Sequence, residues 1–65
     1  MVRLTWENEK YRILVRRFEG DVQIFVDYWK IDKKGKTKPV RYSDLPQYVQ
    51  EKIIEMKSQA TAIGN

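Results

Sequence analysis

The segment of residues 10–30 constrains the fold most, because apolar and polar side chains alternate through two stretches that flank Glu19-Gly20. Alternation is the period of a β-strand, and the two stretches predict strands at about 11–18 and 22–31. Glu19-Gly20 is typical of a two-residue hairpin turn. The predicted pairs on one face are Tyr11/Tyr28, Ile13/Val26, Val15/Ile24 and Arg17/Val22. A one-residue slip would mix the two faces, so the separation favours this hairpin.

The other face of this hairpin mixes basic and aromatic side chains. Its predicted pairs are Lys10/Trp29, Arg12/Asp27, Leu14/Phe25, Arg16/Gln23 and Phe18/Asp21, and Lys30 at the strand end is grouped with them. Arg12 opposite Asp27 predicts a cross-strand ion pair. Arginines beside aromatic rings are typical of surfaces that hold phosphates and stack bases, although a second small core or a protein interface would use the same aromatic residues.

The remaining chain predicts two more strands and one helix. Val2, Leu4 and Trp6 alternate with polar residues and indicate a strand at about 2–7, and a further strand is expected at about 37–42. Asn8-Glu9 and the segment around Gly35 predict turns.

The helix is expected at about 45–61. Asp44 followed by Gln47 matches a capping box, and Pro46 suits a first turn. The spacing of five residues predicts one apolar stripe: Leu45, Val49, Ile53, Met56 and Ala60.

These elements predict an α+β fold in a single domain, residues 1–65: a curved, four-stranded antiparallel sheet followed by one C-terminal helix on one face. A chain of 65 residues has a small core, and no Cys is present to form a disulfide. Small domains without such staples often gain core by association. We therefore expect a homodimer.

Composition argues against catalysis and against a membrane location. The chain has no His and no Cys, so the common general base, thiol nucleophile and soft metal ligands are missing. The sequence predicts a protein that is not an enzyme and has neither cofactor nor metal site. It contains no apolar run of membrane-spanning length and no signal-peptide pattern. We expect an intracellular, soluble protein of the cytoplasm or nucleoid, or of the nucleus in a eukaryote.

The positive charge lies in the predicted sheet. The net charge is +4, and residues 1–42 hold eleven of the 13 Lys and Arg residues but six of the nine acidic ones. Six basic residues fall close together: Lys30, Lys33, Lys34, Lys36, Lys38 and Arg41. Clustered basic residues indicate a polyanionic partner, and the alternative is an ordinary solvated turn.

One stretch resembles the positive cofactor four family of transcriptional coactivators, which bind single-stranded DNA. The resemblance rests on residues 11–39, and the best-matching motifs are Arg16-Arg17-Phe18, Glu19-Gly20-Asp21, the alternating strand with Tyr28-Trp29, and Asp32-Lys33-Lys34-Gly35-Lys36-Thr37-Lys38-Pro39. From Phe18 to Pro39 no gap is needed. The resemblance implies a dimer that pairs through the helix and a neighbouring strand, for which Val49, Ile53 and Met56 are the candidate residues. It also assigns nucleic-acid contacts to Arg16, Phe18, Lys38 and Arg41.

The chain departs from this family at three places. Glu19 and Asp21 are acidic where the family has lysines beside the turn glycine. The segment 40–45 is shorter and less basic than in the family. The family's base-stacking tryptophan falls at Lys30, one residue after Trp29.

The sequence therefore predicts a non-catalytic protein that binds single-stranded DNA or RNA in transcription or replication. The candidate nucleic-acid-binding residues are Arg12, Arg16, Phe18, Phe25, Trp29, Lys30, Lys36, Lys38 and Arg41. One alternative is a small protein–protein interaction module or regulator, for example viral, because Trp, Tyr and Arg dominate protein interfaces. Another is binding of duplex DNA by the sheet.

Overall fold

A computed structural model of the protein describes residues 1–20 and 22–63. Four strands come first in the chain, a short 3₁₀ turn follows, and one helix ends the fold. The elements are β1 (Val2–Glu7), β2 (Tyr11–Arg17), β3 (Phe25–Ile31), β4 (Thr37–Pro39), the 3₁₀ turn (Tyr42–Asp44) and α1 (Gln47–Ile63).

The strands form one antiparallel sheet in the order β1-β2-β3-β4, so each strand pairs with its neighbour in the chain. This confirms the predicted α+β class with one C-terminal helix. Three strand bounds differ from the prediction: β2 ends at Arg17 instead of residue 18, β3 begins at Phe25 instead of residue 22, and β4 ends at Pro39 instead of residue 42. The predicted turn residue Asp21 lies outside the described residues.

The predicted pairing of β2 with β3 was wrong by two residues. Ile13 is opposite Tyr28 and Val15 is opposite Val26. Gly20 does adopt a positive φ of 78°, but the strands are joined by residues 18–24 instead of by two turn residues. A two-residue shift keeps every side chain on its face, so the face assignment holds within the strands. Val22, predicted to lie in the core, is 96% exposed.

The covered face of the sheet, which carries Leu4, Trp6, Ile13, Val15 and Val26, packs against the helix. Ile13 and Val15 in the central strand β2 are fully buried. The half-buried side chains that surround this core include Val2, Leu4, Trp6, Tyr11, Ile24, Val26, Tyr28 and Val40. Burial of a side chain of this size contributes about 1.5–3 kcal/mol, so this face supplies most of the stability.

All five residues of the predicted stripe are buried, but α1 begins at Gln47, so Leu45 joins the core from the segment before the helix. The predicted cap was wrong. Asp44 lies in the 3₁₀ turn and binds Arg41, while the carbonyl of Pro46 accepts the first helical hydrogen bonds from the N–H groups of Val49 and Gln50. Pro46 thus occupies the N-cap position, where its lack of an N–H removes no helical bond.

Two side-chain contacts fix α1 on the sheet. At its start, Asn8 Nδ2 donates to the Tyr48 hydroxyl over 3.2 Å. At its end, Arg17 Nη1 donates to the carbonyl of Thr61 over 3.1 Å, where a cation also complements the helix dipole. Within residues 1–20 and 22–63, no helix is long and apolar enough to span a membrane.

Candidate functional site

The open face of the sheet lies opposite the helix and is set by the alternation of the strands. Its members in β1 and β2 are Arg3, Thr5, Glu7, Arg12, Leu14 and Arg16, and in β3 and β4 they are Phe25, Asp27, Trp29, Ile31, Thr37 and Pro39. The helix packs on the other side, against β1 and β2. This face is therefore the larger surface available to a partner.

A shallow groove of about 620 Å³ crosses the open face. It is lined by residues of the open face and by two strand residues, Trp6 and Ile13, whose side chains lie on the covered face. The open-face residues are Arg3, Thr5, Glu7, Arg12, Leu14, Trp29 and Thr37. These residues come from all four strands, so the groove runs across the strands instead of along them. With neighbouring strands about 4.8 Å apart, it spans about 14 Å.

Ion pairs hold two of the three arginines on this face. Arg12 bonds to Glu7, its neighbour on β1, and Arg16 Nη2 lies 3.1 Å from Asp27 Oδ2. Both pairs are about half exposed, so each adds little stability. Arg3 makes no ion pair with any of the described residues. Arg3 is therefore the arginine of this face with the least competition for an anionic ligand.

The aromatic residues of the open face form two separate stations. Trp29 lies in the groove opposite Arg12. Four residues earlier, or about 13 Å along the strand, Phe25 packs edge-to-face with Phe18 at a centroid distance of 5.7 Å. Phe18 and Phe25 remain 43% and 38% exposed. Both stations offer ring surface to a flat ligand, and the Arg16–Asp27 pair lies between them.

Six lysines gather at one end of the sheet. Both the β1–β2 turn and the β3–β4 loop lie at this end, where the Ile31 N–H donates to the Lys10 carbonyl over 2.8 Å. The lysines are Lys10, Lys30, Lys33, Lys34, Lys36 and Lys38. The acidic residues near them are Glu9 and Asp32. This lysine end is the most positive part of the molecule.

Asp32 shapes the lysine loop from within. Its Oδ1 accepts hydrogen bonds from the N–H groups of Lys34 and Lys36, each at 2.9 Å. Gly35 supplies the positive φ of 82° that the turn requires. The hydrogen bond from Lys36, with that from Lys34 and the nearby charge of Lys38, lowers the pKa of Asp32 below its usual value, against the opposing effect of partial burial. The carboxylate thus stays ionised and holds the loop backbone through these two hydrogen bonds.

Four of the nine predicted site residues lie in strands on the open face: Arg12, Arg16, Phe25 and Trp29. Phe18 follows directly at the end of β2. The other four lie elsewhere: Lys30 and Lys38 face each other on the helix side of the sheet, Lys36 is in the loop, and Arg41 binds Asp44. The structure therefore brings together the aromatic and arginine half of the predicted set and places the lysines at the adjoining end.

Two details of the predicted set need correction. Arg12 pairs with Glu7 and Arg16 with Asp27, so the expected Arg12–Asp27 pair was wrong because of the two-residue shift in register. Lys30 was grouped with the open face, but its even position in β3 puts it on the helix side. There it lies opposite Tyr11.

The candidate dimer residues Val49, Ile53 and Met56 are at most 4% exposed within a single chain. They pack in the core between α1 and the sheet. A second copy could contact them only if the helix left the sheet. These side chains are thus core residues of one chain, and a homodimer would need another surface.

Five open-face residues of the groove were not among the predicted site residues: Arg3, Thr5, Glu7, Leu14 and Thr37, of which the sequence had assigned only Leu14 to this face. The signal for Arg3 and Thr5 was present, since Val2, Leu4 and Trp6 alternate with them and had to face the core. What was missing was the pairing of β1 with β2, which places Arg3 beside Arg16 and Thr5 beside Leu14.

No cluster of three or more side chains suited to a metal ion occurs among the residues that the structure describes. Comparisons of the chain with models of protein families, with curated proteins and with solved structures each gave no match.

Proposed function

We propose that this chain binds single-stranded nucleic acid on the open face of its sheet, without catalysis. Bases stack on Trp29, and on the Phe18–Phe25 station for a longer strand. The phosphates contact Arg3 and the lysine end. DNA and RNA both fit this chemistry, and the role we propose is in transcription or replication.

The groove across the open face is the observation that carries this proposal. It is lined by Trp29 on β3, by Arg12 directly opposite on β2, and by Arg3 farther across the sheet on β1. Stacking on an aromatic ring contributes about 1–3 kcal/mol per base and works for every base. A groove that crosses the strands on an uncovered sheet suits a flexible single strand better than a rigid duplex.

The lysine end supports the same proposal through its charge. Trp29 is two residues from the end of β3, or about 7 Å from the loop that carries Lys33, Lys34 and Lys36. A strand whose base stacks on Trp29 can thus carry its next phosphates to these lysines. None of the three makes an ion pair with the described residues. Binding to such charges weakens strongly with salt.

The resemblance to the positive cofactor four family agrees with this proposal in the order of elements, four antiparallel strands and then a helix. At the family's tryptophan position this chain has Lys30, which lies on the helix side of the sheet. We propose that Trp29, which faces the groove, has the stacking role here.

Two tryptophans allow a direct test of the location. Trp29 lines the open groove with its side chain, while the Trp6 side chain packs with the core on the covered face. In a Trp6→Phe variant, titration with a single-stranded oligonucleotide should quench the emission of Trp29. In the matched Trp29→Phe variant, the emission of Trp6 should stay nearly constant. Equal quenching in both, or no binding at low salt, would contradict the proposal.

One observation favours a protein partner instead. On the open face three arginines stand with two carboxylates, and Glu7 and Asp27 already bind two of the arginines. A phosphate chain must compete with these pairs, whereas a peptide with charges of both signs could join them. Capture of a protein from nuclease-treated lysate, together with no oligonucleotide binding, would establish this second function.

A further inference from the structure

The two edges of the sheet differ in how well they are protected. The edge strand β4 has three residues, two of which are Lys38 and Pro39, and Lys36 precedes it. The edge strand β1 has six residues, with neither Pro nor Lys. Short strands, Pro and Lys are the usual devices that prevent an edge from pairing with another chain. They occur on β4 and are missing on β1.

The backbone of β1 points its free groups outward at three positions. The N–H of Asn8 donates to the carbonyl of Tyr11, so the alternation of an antiparallel ladder turns the backbone groups of Val2, Leu4 and Trp6 toward β2. The backbone groups of Arg3, Thr5 and Glu7 then point away from the sheet. No hydrogen bond joins them to any of the described residues.

We propose that β1 is a homodimerisation edge, on which a second copy of this chain pairs its own β1 in antiparallel orientation about Thr5. The two sheets then continue as one. This proposal does not depend on nucleic-acid binding, and it replaces the helix, whose candidate interface residues are core residues, with a different surface.

Charge complementarity selects both the partner and the register. With Thr5 opposite the partner's Thr5, Arg3 lies opposite the partner's Glu7 twice in the dimer, and Arg3 has no ion pair among the described residues of its own chain. Registers centred on Arg3 or on Glu7 would oppose like charges. On the covered face the same register brings Leu4 against the partner's Trp6, and both are half-buried in one chain. The strand is thus complementary to itself.

Paired proline variants test the edge. Thr5→Pro removes an outward N–H from β1, and the matched Thr37→Pro removes an outward N–H from β4, where Thr37 is opposite Ile31 in the ladder. Sedimentation velocity over a concentration series should show dimers for the wild type and for Thr37→Pro. Thr5→Pro should weaken association about tenfold or more, since two hydrogen bonds are lost per dimer. A wild type that stays monomeric at all concentrations, or a dimer unaffected by Thr5→Pro, would overturn the proposal.

Charge reversal keeps the test valid if Thr5→Pro fails to fold. Glu7→Arg alone opposes arginine to Arg3 at both symmetric positions and should weaken the dimer. Adding Arg3→Glu restores opposite charges, and the dimer should return. Both variants lack the native Glu7–Arg12 pair, so the comparison isolates the contact between copies. Failure of the second substitution to restore association in folded protein would exclude this register.

Discussion

The covered and open faces of the sheet arise from the same alternating strands but are stabilised differently. On the covered face, Ile13 and Val15 are completely removed from solvent and contact the helix. On the open face, polar and aromatic side chains are half-exposed, and ion pairs such as Arg16–Asp27 hold them in place. The core therefore lies on one side of the sheet and the proposed binding surface on the other, so neighbouring residues in one strand should respond differently to substitution.

The largest contrast is expected between two consecutive residues of β2. Ile13→Ala should lower the free energy of unfolding by about 2–5 kcal/mol, because it leaves a cavity in the core. Leu14→Ala, which changes the open face, should cost about 1 kcal/mol or less. Urea unfolding followed by circular dichroism measures both. Equal losses would mean that the open face is also packed against something.

A second contrast concerns affinity instead of stability. Trp29→Ala should weaken binding of a single-stranded oligonucleotide by about 1–3 kcal/mol through loss of stacking, while Trp6→Ala should reduce stability and leave the affinity of the folded fraction unchanged. Fluorescence anisotropy with a labelled oligonucleotide, at low and moderate salt, gives both affinities. If Trp6→Ala weakened binding more than Trp29→Ala, the ligand would bind on the covered face and the proposal would be wrong.

The lysine end should alter how binding depends on salt. Replacing Lys33, Lys34 and Lys36 together with Gln removes up to three phosphate contacts, and the slope of log K against log salt should become about 2 units less steep. The same anisotropy titration over a series of salt concentrations measures this slope. Lys52→Gln and Lys57→Gln on the helix serve as controls and should leave it unchanged.

The smallest effect is expected from acid. The pKa of Asp32 is lowered in the folded chain, so its ionised form stabilises the fold. That stabilisation is complete above the unfolded-state pKa of about 3.9 and is lost as the pH falls from there through the lower folded pKa. Thermal unfolding of Asp32→Asn should therefore differ from the wild type at neutral pH and converge with it in acid. A difference that persists in acid would give Asp32 another role.

The sequence predicted local periodicity well and long-range pairing less well. Alternation assigned Ile13, Val15 and Val26 to the core side correctly, and helical spacing identified the four buried residues of α1 together with Leu45, which precedes the helix. The register of β2 with β3 depends on how many residues form the connection, and residues 18–24 do so in place of Glu19-Gly20 alone.

The predicted ion pair was wrong for the same reason, because the register decides which side chains meet across two strands. Arg16 instead of Arg12 meets Asp27. Asp44 matched a capping pattern, but its carboxylate binds Arg41 and Pro46 takes the cap position. Gln50 Nε2 holds the segment before the helix by donating to the carbonyls of Tyr42 and Leu45. Sequence patterns alone do not decide which of several neighbouring residues takes the N-cap position.

The helix packs on the strands from the first part of the chain, and this long separation in sequence affects the order of folding. Strands pair with their neighbours in sequence, whereas the contacts Asn8–Tyr48 and Arg17–Thr61 span 40 and 44 residues. Closing such long loops costs more entropy than forming hairpins, so we expect the four-stranded sheet to form first and the helix to dock last.

Substitutions in the hairpins should then slow refolding, while Val49→Ala on the helix should mainly speed unfolding, as stopped-flow kinetics would show. Until docking, the apolar side of the sheet is open to other chains, so the yield of refolding should fall as protein concentration rises.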